Sequence, residues 1–306
     1  MDRKSAAAKL SVWSNTCLTL LKLMAGVLTG SISVLSEAMH SAVDLIASGI
    51  ALFAVRAADL PPDEDHPYGH GKIESLSGVA EALLIFLAGA YIIFEAVHRL
   101  WSREGPEHPD LAMIVMSISA VVNIFISQHL FKEAKATESI ALEADAQHLR
   151  SDVWTSLGVI FGLGLVRWSG LAWIDSAAAI AVALFILHTS WKLTRGALNP
   201  LLDSQLPQDD IDAVKEILTN DPAVYDFHKL RTRRSGSSRY IDAHVLMEDS
   251  LTLLESHDLT EALEDRIRKR LPNVQVTLHT EPYHAEILHQ KLVHGLADSD
   301  GKTRGD

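Results

Sequence analysis

The 306 residues are 48% hydrophobic with 22% charged side chains and a mean hydropathy of +0.13. That is too apolar for an ordinary soluble protein and too charged for one confined to a bilayer, so a membrane part and a soluble part are expected. A net charge of −12 gives a nucleic-acid partner no electrostatic support, and 15 His against the single Cys17 exclude a disulfide framework or a thiolate zinc cluster within the chain. Any metal must be held by imidazoles and carboxylates.

Apolar stretches long enough to span a bilayer occur near 10–29, 33–55, 77–98, 111–131, 142–166 and 173–191. Met1-Asp2-Arg3-Lys4 is basic, but the stretch after it is a full span without a small-residue cleavage site, so no cleavable signal peptide is expected. Arg3, Lys4, Lys9, Lys72, Lys132, Lys135, Lys192 and Arg195 fall on one side, which the positive-inside bias makes cytoplasmic together with both termini. Arg99, Arg103 and Arg167 fall on the other side. A multi-pass plasma-membrane (inner-membrane) protein in contact with the lipid bilayer is expected.

Two of these spans carry the same octet, acid-Ala-x-His-x-x-x-Asp: Glu37 to Asp44, with His40, and Asp145 to Asp152, with His148. A His and an Asp four residues apart share one helix face. Ionisable groups inside a membrane cost about 2.5–3.5 kcal/mol each on insertion scales and mark function by default. The second and fifth spans run in opposite directions, so the four side chains can meet at one depth. His40, Asp44, His148 and Asp152 offer two nitrogens and two carboxylate oxygens, a tetrahedral set suited to zinc. With a dication bound the set is formally neutral; emptied, it attracts protons. The bland alternative is two structural His–Asp couples. Lys22, Glu37, Glu81 and Asp175 are given no role beyond internal pairing or snorkelling, and Gly78 and Gly89 are read as close-packing positions.

The loop from Asp63 to Lys72 groups Asp63, His66 and His70, with Asp65 as a competing carboxylate and Pro67 and Gly69 shaping a turn. It is a three-ligand site or an ordinary solvated turn. After Pro200 the chain becomes polar. Helical spacing at Ile211–Leu218 and Leu259–Leu271, and alternation in Tyr240–Met247, Val274–Glu281 and the earlier Phe227–Arg233, predict an α-β-β-α-β order: a two-layer α+β domain with helices on one sheet face. His244, His279 and Glu281 lie opposite the apolar side chains, while His228 shares the parity of Leu230. With His257 these are either metal ligands at a subunit interface or scattered surface histidines. The expected divisions are 1–203, a six-span all-α membrane domain, 204–284, the α+β domain, and 285–306, a disordered tail.

The duplicated His-x-x-x-Asp, the run Asp63…His66-Pro67-Tyr68-Gly69-His70-Gly71-Lys72-x-Glu74 and the stretch His228 to Arg233 resemble the cation diffusion facilitator family, most closely its bacterial zinc exporters of the ferrous-iron-efflux type. The resemblance spans about residue 8 to Tyr283. It implies a metallochaperone-like cytoplasmic domain, a homodimer, and divalent-cation/proton antiport by alternating access. It assigns His40, Asp44, His148 and Asp152 to the transport site and Asp63, His66 and His70 to a loop site. It assigns His228, His244, His257, His279 and Glu281 to a binuclear site at the soluble dimer interface, and Lys72 with Asp203 to a charge pair locking the dimer. Some relatives have Asp where this chain has His40, and Asp where it has Glu281; the nitrogen at position 40 implies discrimination against cadmium.

Zinc export against protons is thus the leading expectation, with zinc ions transported and also bound structurally. Iron, cadmium or manganese as the main cargo, or a membrane metal sensor or scaffold that does not transport, are the alternatives. An intramembrane metalloenzyme would want His-Glu-x-x-His and an open coordination position; the motif is absent, and no enzyme is expected.

Overall fold

The computed structural model describes residues 3–29, 32–102, 109–169 and 173–294. Arg103, the side chains of Glu37, Arg99, Arg167 and Asp175, and residues 295–306 of the expected tail lie outside the described residues. The chain divides into two units, Met1–Leu201 and Leu202–Asp306.

The first unit consists of α1 (Arg3–Thr29), α2 (Ile32–Ala58), α3 (Lys72–Ser102), α4 (Pro109–Thr137), α5 (Ile140–Ser169) and α6 (Trp173–Leu201). At 27 to 31 residues each is roughly 40–46 Å long, more than a hydrocarbon core of about 30 Å requires. Among the described residues α1, α2, α3, α4 and α6 are apolar enough to cross a membrane. α5 is as long, but its first half carries Glu143, Asp145, Arg150 and Asp152. The fifth expected span is therefore a helix most of whose charge in that half belongs to the second octet.

Polarity in this unit is distributed as a membrane requires. Trp13, Leu28, Phe53, Phe94 and Phe125 are exposed, while Asn15, Lys22, Asp44, Glu74, Glu81, Asp145 and His148 are buried. Small residues let the helices approach. A Cβ on Gly89 of α3 would lie 3.0 Å from Leu187 of α6, and one on Gly158 of α5 would lie 2.5 Å from Cγ2 of Val182. Val182 is β-branched and stiff, so Gly158→Ala is expected to cost about 1–3 kcal/mol through overpacking. Thermal unfolding in detergent should show the loss, and Gly158→Ala with Val182→Ala should recover most of it. A double variant no better than the single one would place the cost elsewhere.

The second unit comprises α7 (Gln208–Thr219), β1 (Asp226–Ser235), β2 (Ser238–Met247), α8 (Leu253–Arg270), β3 (Val274–Pro282) and α9 (Tyr283–His294). The sheet order is β1-β2-β3, with β1 antiparallel and β3 parallel to β2. Ile241, Ala243, Val245 and Met247 of β2 pack with Val276 and Leu278 of β3 against Ile211, Val214 and Leu218 of α7 and Leu263 and Ile267 of α8. This is the two-layer α+β arrangement the alternation predicts. α8 starts on a capping box, in which Thr252 and Glu255 satisfy each other's backbone N–H groups. Gly236, at φ +58°, makes the β1–β2 turn.

One difference concerns the tail. A disordered segment is expected from 285, yet Tyr283–His294 is the helix α9. Its start is tied to the loop after β2, where the backbone N–H of His284 donates to Asp249 Oδ1 at 2.9 Å.

Candidate metal centres

The first centre lies between α2, which carries His40 and Asp44, and α5, which carries His148 and Asp152. Asp44 is its hub: Oδ1 is 3.1 Å from His148 Nε2 and 3.9 Å from His40 Nε2. His40 Nε2 is also 3.9 Å from Asp152 Oδ1. One ligand atom each from His40, Asp44 and Asp152 lies within 4.8 Å of the others. His148 joins them through Asp44. The side chains of His148 and Asp44 are 5% and 8% exposed, against 42% for His40, so the group opens on the His40 side. His148 Nδ1 and Asp152 Oδ2 are buried without a hydrogen-bond partner among the described residues. Buried polar atoms of that kind call for a ligand.

α1 backs this centre with a polar stripe in which Asn15 and Thr19 join Lys22. Asn15 Nδ2 donates to the Asp44 carbonyl at 3.4 Å, Thr19 Oγ1 to the Ser41 carbonyl at 2.9 Å, and Lys22 Nζ to Ser41 Oγ at 2.7 Å. Asn15, Thr19 and Lys22 are spaced four and three apart, one face of a helix, and that spacing was the available signal. Lys22 has an internal partner. A second buried network ties the start of α1 to its neighbours: Lys4 pairs with Asp59 and donates to Glu74 Oε1 at 3.1 Å, while Ser139 Oγ donates to Glu74 Oε2 at 2.7 Å.

The second centre is the loop between α2 and α3. Asp63 Oδ1 lies 3.1 Å from His66 Nδ1 and Oδ2 lies 3.2 Å from His70 Nε2. All three side chains offer ligand atoms within 4.8 Å of one another, and Asp65 is outside the group. The backbone N–H of His66 donates to Asp63 Oδ1 at 2.6 Å and is the largest of the influences that hold this carboxyl below its ordinary value. Gly69, at φ +79°, closes the turn with its N–H 2.9 Å from the His66 carbonyl.

The third centre is on the open face of the sheet. His228, His244 and His279 form one row across β1, β2 and β3, since His228 pairs with His244 and His244 with His279. Glu281 grips the first two, with Oε2 2.6 Å from His228 Nε2 and Oε1 2.6 Å from His244 Nδ1; His279 Nε2 is 3.6 Å from Oε1. Burial pushes the Glu281 carboxyl up, but the hydrogen bonds and charges of the two imidazoles outweigh it and hold it below its ordinary value. His228 reaches this face because the register shifts between His228 and Arg231, with Lys229 at φ +52°. A bulge resets the alternation, which removes the parity conflict with Leu230. Among the described residues His228, His244 and Glu281 bring ligand atoms within 4.8 Å of one another, while His279 and His257 stay outside that group. His257 is on α8, 68% exposed and 4.0 Å from Glu261.

The sequence profile of the cation efflux transmembrane domain matches residues 8–202, most of the chain. The chain belongs to the cation diffusion facilitator family. The profile of the cation efflux protein cytoplasmic domain matches residues 206–283 of this facilitator. It is 36% identical over 263 residues to an uncharacterized transporter of Synechocystis sp., covering 86% of this chain and 85% of that one. It is 32% identical over 268 residues to the cation-efflux pump FieF of Pectobacterium atrosepticum, covering 88% and 89% respectively. Among solved structures, the metal-bound C-terminal domain of the CzcD transporter from Thermotoga maritima is 26% identical, covering 25% of this chain and 94% of that one with a TM-score of 0.24. This facilitator is therefore a multi-pass membrane transporter of divalent metal cations and not an enzyme.

Lys72 opens α3, and Asp203, in the other unit, lies 3.5 Å from Arg233.

Proposed function

We propose that this facilitator exports zinc from the cytoplasm in exchange for protons, through one site made by His40, Asp44, His148 and Asp152. The observation that carries this reading is the convergence of the two octets on Asp44, in a buried place with unpartnered ligand atoms. Two imidazoles and two carboxylates suit zinc in tetrahedral geometry better than they suit harder cations, which prefer oxygen alone. Charge supplies the coupling. Two carboxylates neutralise one dication, and when it leaves they draw protons to the site, so a dication in one direction is balanced by protons in the other.

Both termini lie in the cytoplasm in this reading, and the protein sits in the plasma (inner) membrane. Two chains associate through the soluble unit. His228, His244, His279 and Glu281 bind zinc on the open sheet face. His257, exposed on α8, belongs to a second ion there that depends on the dimer. Asp63, His66 and His70 form a third, exposed zinc site on the cytoplasmic loop.

Reconstituted liposomes test the function. Zinc uptake is expected to rise several-fold when a pH gradient is imposed and to collapse when the gradient is dissipated, with cadmium competing weakly. Uptake indifferent to the gradient would overturn the exchange, and stronger transport of cadmium or iron than of zinc would overturn the choice of cargo.

A further inference from the structure

The starts of α1, α3 and α5 and the end of α2 meet in a buried polar network that no metal centre uses. Lys4 of α1, 7% exposed, pairs with Asp59, which follows α2, and donates to Oε1 of Glu74, on α3, at 3.1 Å. Ser139, which precedes α5, donates to Glu74 Oε2 at 2.7 Å and accepts the Leu142 N–H at 3.4 Å, so the same hydroxyl caps α5. Glu74 is 1% exposed, with both carboxylate oxygens taken. α3 packs most extensively on α6, and α1 on α2. The Lys4–Asp59 pair thus lies within one helix pair, whereas Glu74 ties α3 to α1 and α5 across the pairs. Arg3 adds α4, with Nε and Nη2 at 2.9 and 3.0 Å from the two oxygens of Glu133.

A sealed layer separates this network from the octet centre. About 22 Å of chain rise along α2 lies between Asp44 and Asp59, and about 14 Å along α5 between Ser139 and His148. In those turns Ala54 and Val55 of α2 and Ala141, Leu142 and Ala146 of α5 belong to one buried apolar cluster with Ala7 and Ala8 of α1, and Ile73, beside Glu74, packs against it. Ser48, one turn from Asp44 toward the network, is 0% exposed. The centre opens at its other end. His40, one turn from Asp44 away from the network, has a side chain 42% exposed.

We propose that Glu74 is the latch of a cytoplasmic gate: bound to Lys4 and Ser139 it shuts the octet centre off from the cytoplasm, and its release admits zinc from that side. The assignment rests on the export reading above, which places these helix ends in the cytoplasm and has one centre reached from two sides in turn. A carboxylate so enclosed is stable only while a cation and a hydroxyl hold it. At the ends of helices water can take their place when α3 draws away from α1 and α5, so the tie exchanges its hydrogen bonds instead of losing them and can open reversibly. Asp59 keeps Lys4 in position on the α1–α2 pair while the latch is open, ready to close again.

The test uses the full-length protein in inside-out membrane vesicles, with zinc chelated. Cys17→Ser removes the single native thiol, Ser48→Cys places a reporter in the sealed layer, and a charged, membrane-impermeant maleimide is added from the cytoplasmic face. With the latch intact the reporter is expected to react slowly. Glu74→Gln should speed labelling about 10-fold or more, because the closed state loses a buried charge pair and the population shifts to the open one. Lys4→Met, which strips both acids of their cation, should do the same and suffices by itself if Glu74→Gln does not fold; the comparison is made on variants whose melting in detergent matches wild type. Asp59→Asn, which removes only the tie within the α1–α2 pair, should stay near the wild-type rate. Labelling unchanged in Glu74→Gln and Lys4→Met would overturn the latch, and equal acceleration in Asp59→Asn would make the network a general brace of the helix ends and overturn it too. Wild-type liposomes that move no zinc overturn the export reading, whereas wild-type transport together with unchanged labelling of the variants overturns the latch alone.

Discussion

Asp44→Ala is expected to abolish zinc transport and to weaken zinc binding at the membrane site by about 100-fold or more, which corresponds to roughly 2.7 kcal/mol or above. Asp44 is the atom-level junction of the two octets, 3.1 Å from His148 and 3.9 Å from His40. Without its carboxylate the loaded site carries an uncompensated positive charge in the membrane interior, where charge is expensive. Asp44→Asn separates charge from shape, because it keeps the volume and loses the charge. It should fold as wild type does and still fail to transport. Zinc flux into liposomes and calorimetric affinity are the measurements, and an Asp44→Ala protein that carries zinc at the wild-type rate would contradict the site.

The second large effect is expected from Glu281→Gln. Glu281 presents one oxygen to His228 and the other to His244, each at 2.6 Å, so it both orients the imidazoles and supplies negative charge. An amide can accept at one position but must place its NH2 against the other ring. Zinc affinity of the soluble unit should fall about 10- to 100-fold, as it does when the groups that orient a metal's ligands are lost. Zinc-dependent association of two chains should weaken in parallel, measured by sedimentation across a zinc titration. The membrane site, built from other residues, should keep its affinity. Equal losses at both sites would mean that the two centres are not independent.

Much of this was legible in the chain because periodicity and charge act locally. Long apolar runs become helices of membrane length, and the alternation of Ile241, Ala243, Val245 and Met247 becomes the inner face of β2. The octets announced themselves because acids and imidazoles in apolar helices have no cheap explanation. What escaped is what tertiary structure decides. His228 has the wrong parity until the bulge at Lys229 resets the strand. His257 lies outside every predicted strand, and its place on α8, away from the three histidines of the sheet, follows from that. The sequence alone marks Asp145 as the acid opening the second octet and Glu81 as a bland buried charge; that both are fully buried is decided by tertiary packing. α9 was missed because its composition is polar and its start is fixed by Asp249, 35 residues away in the chain.

The most direct measurement of the central claim is anomalous diffraction from zinc-loaded crystals of the full-length protein. A zinc peak between α2 and α5 is expected, with one nitrogen each from His40 and His148 and one oxygen each from Asp44 and Asp152 at about 2.0–2.2 Å. Zinc bound only at the Asp63–His66–His70 loop and on the sheet face, with nothing between the two octets, would contradict it.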